Sequence, residues 1–349
     1  MNRDVMLITA SWFIWGAGFY VYYPFYTVFL SNLIGVKQLS MFFILLELAT
    51  LSFPVIGALI SRLINIKYAI AIAMVISGIG LFLIPFSKNF VSVLITSALS
   101  YFFYAALPNY YSLMRYFGSG VLTRVWAVSV LPAVIFPLIG GITAEGFGVK
   151  YPFLIAALLT SLSGIIMIYE KTDSVKREKF VISFGKDPTP AISIIPIALV
   201  TPFIMPVLVK LYGMSYFKLG VVDAMLEGLG MTAGFILPLI GSFGLPISLF
   251  VFSLVSLTYV NWPYALSFGM REAIIPLSLD YWMASNSPES IAIVNTFQQF
   301  GWIIGYIVSW ILIEPKYNFI ASSFVSFLIG IVLFIKAYKR NSINIIKTK

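Results

Sequence analysis

The sequence predicts an all-α polytopic membrane protein with twelve transmembrane helices in two pseudo-symmetric six-helix bundles. Three observations carry that expectation. The 349 residues are 60% hydrophobic with a mean hydropathy of +0.98, against about 45–50% apolar in soluble domains. The apolar residues fall in runs near the ~20 residues that a membrane span requires. Short Pro/Gly marks also recur at a fixed even spacing of runs, as in chains built from repeated halves.

Taken in order, the runs are bounded by charge, glycine or proline. Spans are expected at 6–29, 39–60, 68–86, 91–114, 124–145 and 149–169. Lys37, Arg62 with Lys67, Lys88, Arg115 with Arg124, and Lys150 stand in the connections between them. A polar stretch from Glu170 to Pro190 follows, with five basic and four acidic residues, and reads as a solvated tether. Six more spans are expected at 191–209, 218–240, 244–259, 262–283, 290–312 and 317–338, with a tight connection at Gly241–Gly244 between the eighth and ninth. The chain thus divides into a bundle at 1–170, a linker at 171–190, and a bundle with a short basic tail at 191–349. The run from Met6 to about Phe29 is too long for a signal core and has no small-residue cleavage site.

Twelve spans put both termini on one side. That side receives fifteen basic residues and the opposite side six, and Arg271, inside a span, completes the 22. Basic loops face the cytoplasm, so both termini are expected there, in a multi-pass protein of the cell membrane. The same distribution turns the net charge of +9 away from nucleic acid. Zero cysteine and zero histidine remove disulfides, thiol chemistry and the commonest metal ligand and general base. Asp-x-x-Asp and phosphate-loop patterns are absent too. No enzyme, cofactor or metal is expected, and the lipid bilayer is the expected surrounding of a monomer.

Lys150-Tyr-Pro-Phe153 recurs as Lys316-Tyr-Asn-Phe319, and Pro54-Val-Ile-Gly57 as Pro238-Leu-Ile-Gly241. Six spans separate each pair, so the halves run parallel. Pro137-Leu-Ile-Gly140 in span 5 and Trp302-Ile-Ile-Gly305 in span 11 add a finer echo. The four copies occupy the middle helix of each three-helix group, and neighbouring groups have opposite orientation.

This arrangement resembles the major facilitator superfamily, over nearly the whole chain. After span 2 that family carries Gly-x-Leu-x-Asp-Arg-x-Gly-Arg-Arg, a gate clasp whose acid meets a helix end and charges across the halves. Here Gly57, Leu59 and Arg62 match, while Ser61 stands in place of the acid and Ile64 in place of the second glycine. The resemblance therefore does not carry the clasp over to this chain. In span 5, export-type members carry Gly-x-x-x-Gly-Pro-x-x-Gly-Gly. Pro137, Gly140 and Gly141 match its end, and Pro132 and Phe136 replace the leading glycines. Gly140 and Gly141 permit close helix approach, and Pro137 frees a carbonyl and allows a bend. The resemblance implies a secondary transporter with alternating access, tilted toward export.

Four acids fall inside apolar runs, Glu47, Asp223, Glu227 and Glu272, with Arg271 to answer them. Charge in hydrocarbon is costly, so such residues usually face a bundle interior or wet cavity. Asp223 and Glu227 are four apart on one helical face. Counted from the shared Pro-x-Ile-Gly marks, Glu47 stands near the same face of a symmetry-related helix. Arg271 and Glu272 are adjacent, about 100° apart on a helix, and are expected to find different partners. For Arg271 these are Asp223 or Glu227 across the cavity, or Gln298 and Gln299 on helix 11. Four acids against one base cannot all ionise cheaply in low dielectric, so the excess is expected to be protonated or matched by a bound cation. An H⁺-coupled carrier fits, in which protons and solute compete for the same acids.

Aromatics supply a second layer. Trp15, Tyr104 and Asn109 lie deep enough to touch a solute, and Gln298 and Gln299 are expected to line its path with them. Cation–π and stacking contacts would make that solute an organic cation or flat apolar molecule. Tyr20, Tyr22, Tyr23 and Tyr26 lie near the outer boundary and suit an interfacial belt. Pro196, Pro202 and Pro206 are expected to bend span 7. The expected function is proton-coupled export of a cationic or amphipathic solute. Uptake of a sugar or organic acid, and a non-transporting sensor or scaffold, stay open.

Overall fold

The structure, a computed structural model, describes residues 3–117, 125, 130–171, 188–280 and 287–347. Helix is the regular structure among them, with no strand. The first helix, α1 (Arg3–Ile34), has 32 residues, about 48 Å at 1.5 Å per residue, which exceeds the ~30 Å hydrocarbon core. Next come α2 (Leu39–Thr50), α3 (Phe53–Leu63) and α4 (Ile66–Leu83), the last capped by the Asn65 side chain, which accepts from the Lys67 N–H. A capping box of Asn89 and Ser92 starts α5 (Phe90–Ser100). Then follow α6 (Phe103–Tyr116), α7 (Val130–Phe147) and α8 (Tyr151–Met167).

The second bundle is more broken. Its first crossing is α9 (Thr189–Ile192), α10 (Ile195–Val200) and α11 (Ile204–Tyr212). Pro196 and Pro206 fall in the first turns of α10 and α11 and Pro202 in the break between them, so missing N–H donors set the interruptions. After α12 (Tyr216–Ile236), a 3₁₀ segment Leu237–Phe243 leads into α13 (Gly244–Phe252). Two further 3₁₀ segments, Ser253–Tyr259 and Trp262–Met270, lead into α14 (Arg271–Asp280), and α15 (Pro288–Leu312) and α16 (Pro315–Lys347) complete the chain.

Among the described residues nine stretches are long and apolar enough to cross a membrane, where hydropathy predicts twelve. The shortfall has physical reasons. With 17 residues, α8 is short, and Trp262–Asp280 carries Arg271 and Glu272. The 44 residues of Tyr216–Tyr259 run as one apolar stretch, yet the chain turns back inside it. Gly241 has φ +61°, and a Cβ on Gly244 would stand 2.5 Å from the Leu237 carbonyl oxygen. That turn is the tight connection expected there.

Glycines set the helix spacing in symmetric pairs. A Cβ on Gly57 would collide with the Ala105 carbonyl of α6, and one on Gly230 with the Gly269 carbonyl. Gly140 faces the Val21 carbonyl of α1, and Gly305 faces Ile195 and Ala198 of α10. The structural counterpart of Gly57 is therefore Gly230 and not Gly241, a turn residue at which a Cβ would meet no atom of the described residues within 4 Å. The sequence marks had slipped by eleven residues (241 minus 230), about three helical turns, which preserves the face and shifts the depth by about 16 Å.

Between the bundles, α7 packs on α12, and α2 and α3 pack on α15. Gly220 makes the first contact close, since a Cβ there would collide with the Pro137 carbonyl, while Gly141 fits against Tyr216 and Phe217. At the end where α1 begins, the Lys171 N–H donates to Asp4 Oδ1 at 3.3 Å and Lys67 Nζ to the Glu170 carbonyl at 2.7 Å. At the opposite end Ser40 and Ser309 share a hydrogen bond of 2.7 Å across the bundles.

Candidate functional site: a cavity between the bundles

A cavity of ≈ 220 Å³ lies where the two bundles meet. One wall is α1, with Trp12, Trp15, Phe19, Tyr20, Tyr23, Tyr26 and Thr27, joined by Phe43 and Glu47 from α2 and by Tyr101, Phe103, Tyr104 and Tyr111 around α6. The other wall carries Thr201, Met231, Arg271, Glu272, Asn295, Gln298, Gln299, Trp302 and Tyr306. Three crossings change geometry at this level. Tyr101 follows the end of α5, Thr201 the end of α10, and Arg271 begins α14 out of a 3₁₀ segment.

Rings dominate the walls. Trp12 and Trp15 lie 4.6 Å apart between centroids, and Trp15 lies 5.7 Å from Phe103. Across the bundles Phe43 stacks on Tyr306 at 5.2 Å, and Tyr306 stacks on Trp302 at 5.8 Å. Tyr20, Tyr23 and Tyr26 belong to this lining and not to a boundary belt. The length of α1 explains the difference, because a helix that overshoots the membrane puts its middle turns well inside it. Trp15 and Tyr104 face the same space.

The charged groups divide. Glu47 lines the cavity, 2% exposed, with Oε2 lacking a hydrogen-bond partner among the described residues. On the other wall Arg271 donates through Nη2 to Glu227, its Nε lies 3.2 Å from Glu272 Oε1, and its guanidinium lies 5.0 Å from the centre of the Tyr23 ring and 4.5 Å from that of Phe268. Two expectations change here. Arg271 and its neighbour Glu272 meet each other, because long side chains at a 3₁₀-to-α junction need not follow the 100° rule. The Arg271–Glu227 pair also lies within one bundle rather than across the cavity, as α12 packs directly on α14. Asp223 and Glu227 are fully buried and outside the cavity lining, and neither Asp223 oxygen has a partner among the described residues.

Asn109 is likewise outside the lining. Its Nδ2 donates to the carbonyls of Gly57 and Ala105, both at 3.1 Å. It ties α6 to α3 where Gly57 lets them touch. Gln298 lines the cavity but donates to the Ile275 carbonyl at 3.2 Å and Ser278 Oγ at 3.0 Å, so it also holds α15 to α14.

Arg62 has a partner that the motif comparison did not supply. Its Nε lies 2.8 Å from Oε1 of Glu289, in the first turn of α15 in the other bundle. A charge clasp across the bundles therefore exists with Glu289 as its acid. Glu289 was legible only as an acid after a Ser-Pro helix start, a common first-turn feature. Asn295 and Tyr306 were missed as well. Asn295, Gln299, Trp302 and Tyr306 follow at steps of four, three and four along one face. That spacing was the available signal.

The clasp sets an expected result. The chain has no cysteine, so a single Leu107→Cys in the cavity wall reports access. Adding Arg62→Ala should speed its modification by a membrane-impermeant thiol reagent several-fold from the side bearing the termini. An unchanged rate would remove Arg62 from gating.

The fold and the cavity together define a class, a polytopic helical bundle with a cavity between its halves, and the fold is similar to that of solved transporters. Among solved structures, the nucleoside transporter NupG aligns at a TM-score of 0.70 and 11% identity over 97% of this chain and 100% of that one. A point mutant of the same transporter aligns at 0.70 and 13% over 95% and 99%. An auto-inhibited POT family peptide transporter aligns at 0.71 and 10% over 97% of each. At these identities the shared property is the fold. No protein-family profile matches the sequence, and no curated protein does.

Proposed function

We propose that this protein is a secondary transporter that moves a small organic solute by alternating access, coupled to protons. The observation that carries the reading is the cavity itself. It lies between two bundles of a transporter fold, is walled by rings, and has Glu47 on one side and the Arg271–Glu272 pair on the other. Its volume suits a small solute, being below the ~300–1,000 Å³ of typical ligand pockets. Rings beside a carboxylate favour an amphipathic or cationic molecule. Arg271 already meets Glu227 and Glu272, which disfavours an anionic solute. The clasp of Arg62 and Glu289 and the Ser40–Ser309 bond both join the bundles through α15. Alternating access then means breaking one of them at a time.

Coupling is assigned to the acids around Arg271. Three acids stand around one guanidinium, which meets Glu227 and Glu272 while the oxygens of Asp223 find no partner among the described residues, leaving two negative charges that protons would neutralise. Export is proposed from the Pro137, Gly140 and Gly141 resemblance, with both termini in the cytoplasm, the protein in the cell membrane as a monomer, and 1–170 and 191–349 as the moving units.

Proteoliposomes test this. Flux of an amphipathic amine should follow an imposed pH gradient, and Asp223→Asn should lose that dependence while downhill exchange persists. Retention of the full dependence in the variant would clear Asp223 of coupling. Absence of flux across amine, sugar and acid panels would favour a sensor or scaffold.

A further inference from the structure

Two amides on α15 line the cavity with three of their polar atoms unpartnered among the described residues. Gln299 is 3% exposed, and both ends of its amide lack a partner among the described residues, as does the amide nitrogen of Asn295. The two residues are four apart, one turn of the same face, and both line the cavity. Their neighbour Gln298 already supplies the packing bonds of α15 to Ile275 and Ser278, so helix packing does not explain them. Buried amides are normally satisfied by protein or water, and a site built to bond a solute leaves such groups open when the solute is absent. One and two turns further along that face stand Trp302 and Tyr306, stacked 27° from parallel.

A donor–acceptor amide edge beside a flat stacking surface selects a particular chemistry. A simple alkyl ammonium can donate to the Gln299 carbonyl but offers no acceptor to the Asn295 and Gln299 amide nitrogens. A sugar would meet rings where its hydroxyls need partners on every side. A planar heterocycle with a ring N–H next to a carbonyl satisfies both features, since its edge pairs with an amide and its face stacks on rings. We propose that Asn295 and Gln299 form the recognition edge for such a heterocycle, the class of nucleobases and related lactams, with its ring against Trp302, which Tyr306 backs. This deepens the transporter reading and rests on the same cavity.

The test uses the purified full-length protein, with binding measured by thermal shift and calorimetry. The ligands are uracil, cytosine and hypoxanthine, beside 1,3-dimethyluracil, 1-methylcytosine and 1-methylhypoxanthine, which keep the flat face but lose every ring N–H next to a carbonyl. The expected result is that at least one parent base binds and its methylated form binds about tenfold more weakly or worse. Gln299→Leu should erase that difference without lowering the melting temperature of the unliganded protein, because the amide it removes has no partner among the described residues. The inference is overturned if no parent base binds or if parent and methylated forms bind alike. It also fails if Gln299→Leu keeps the discrimination or destabilises the unliganded protein. Discriminating binding without flux would count against transport alone, and amine flux without base binding against the recognition edge alone.

Discussion

Replacing Arg271 by leucine should lower the free energy of unfolding by about 3–5 kcal/mol and abolish transport, the larger of the two strongest effects expected here. The guanidinium is 2% exposed and meets Glu227 and Glu272, with Asp223 buried nearby on α12. Its removal leaves carboxylates in a low-dielectric interior without their cation, and that is what makes breaking a buried pair costly. Contacts of the guanidinium with Tyr23 and Phe268 vanish as well. The double variant Arg271→Leu with Glu227→Leu should recover part of the lost stability, since paired removal to apolar groups is often close to neutral, yet should remain inactive. Thermal unfolding in detergent and flux in proteoliposomes measure the two quantities separately. Wild-type stability in the single variant would mean that Arg271 is not the counter-charge of this cluster.

Glu47→Gln should have the opposite profile, with stability kept or raised and function lost. Glu47 is buried, and its Oε2 has no protein partner among the described residues. An amide of the same shape replaces a buried carboxyl group whose Oε2 has no partner among the described residues, at little packing cost. If Glu47 holds a cationic solute, the same change should weaken binding by about tenfold to a hundredfold, the range for losing one member of a desolvated charge pair. A neutral solute of similar shape should bind the variant and the wild type alike. Equal loss for both would show that Glu47 shapes the cavity without selecting charge.

Much of the site was visible along the chain because burying charge in a membrane is expensive wherever it happens. Glu47, Arg271 and Glu272 stood out on that ground, and all three line the cavity. Asp223 and Glu227 stood out equally and proved to be buried outside the lining. An intramembrane acid advertises its cost but not whether water or an arginine meets it. Asn109 illustrates the same limit for amides, since its bond to the Gly57 carbonyl depends on a helix neighbour 52 residues away. Tyr20, Tyr23 and Tyr26 were placed at the boundary by counting residues, which presumes a helix as long as the membrane is thick.

Local chemistry by itself determined the helical, membrane-spanning class, the break of the seventh crossing at its prolines and the turn at Gly241. Each follows from backbone donors, φ angles or a 3.6-residue period, all properties of short segments. Depth and partnership were decided by tertiary structure alone. A slip of eleven residues leaves a helix face unchanged, so only packing distinguishes Gly230 from Gly241 as the counterpart of Gly57. Likewise, Arg62 finds Glu289 at a separation of 227 residues because two bundles meet there, and no local period encodes that meeting.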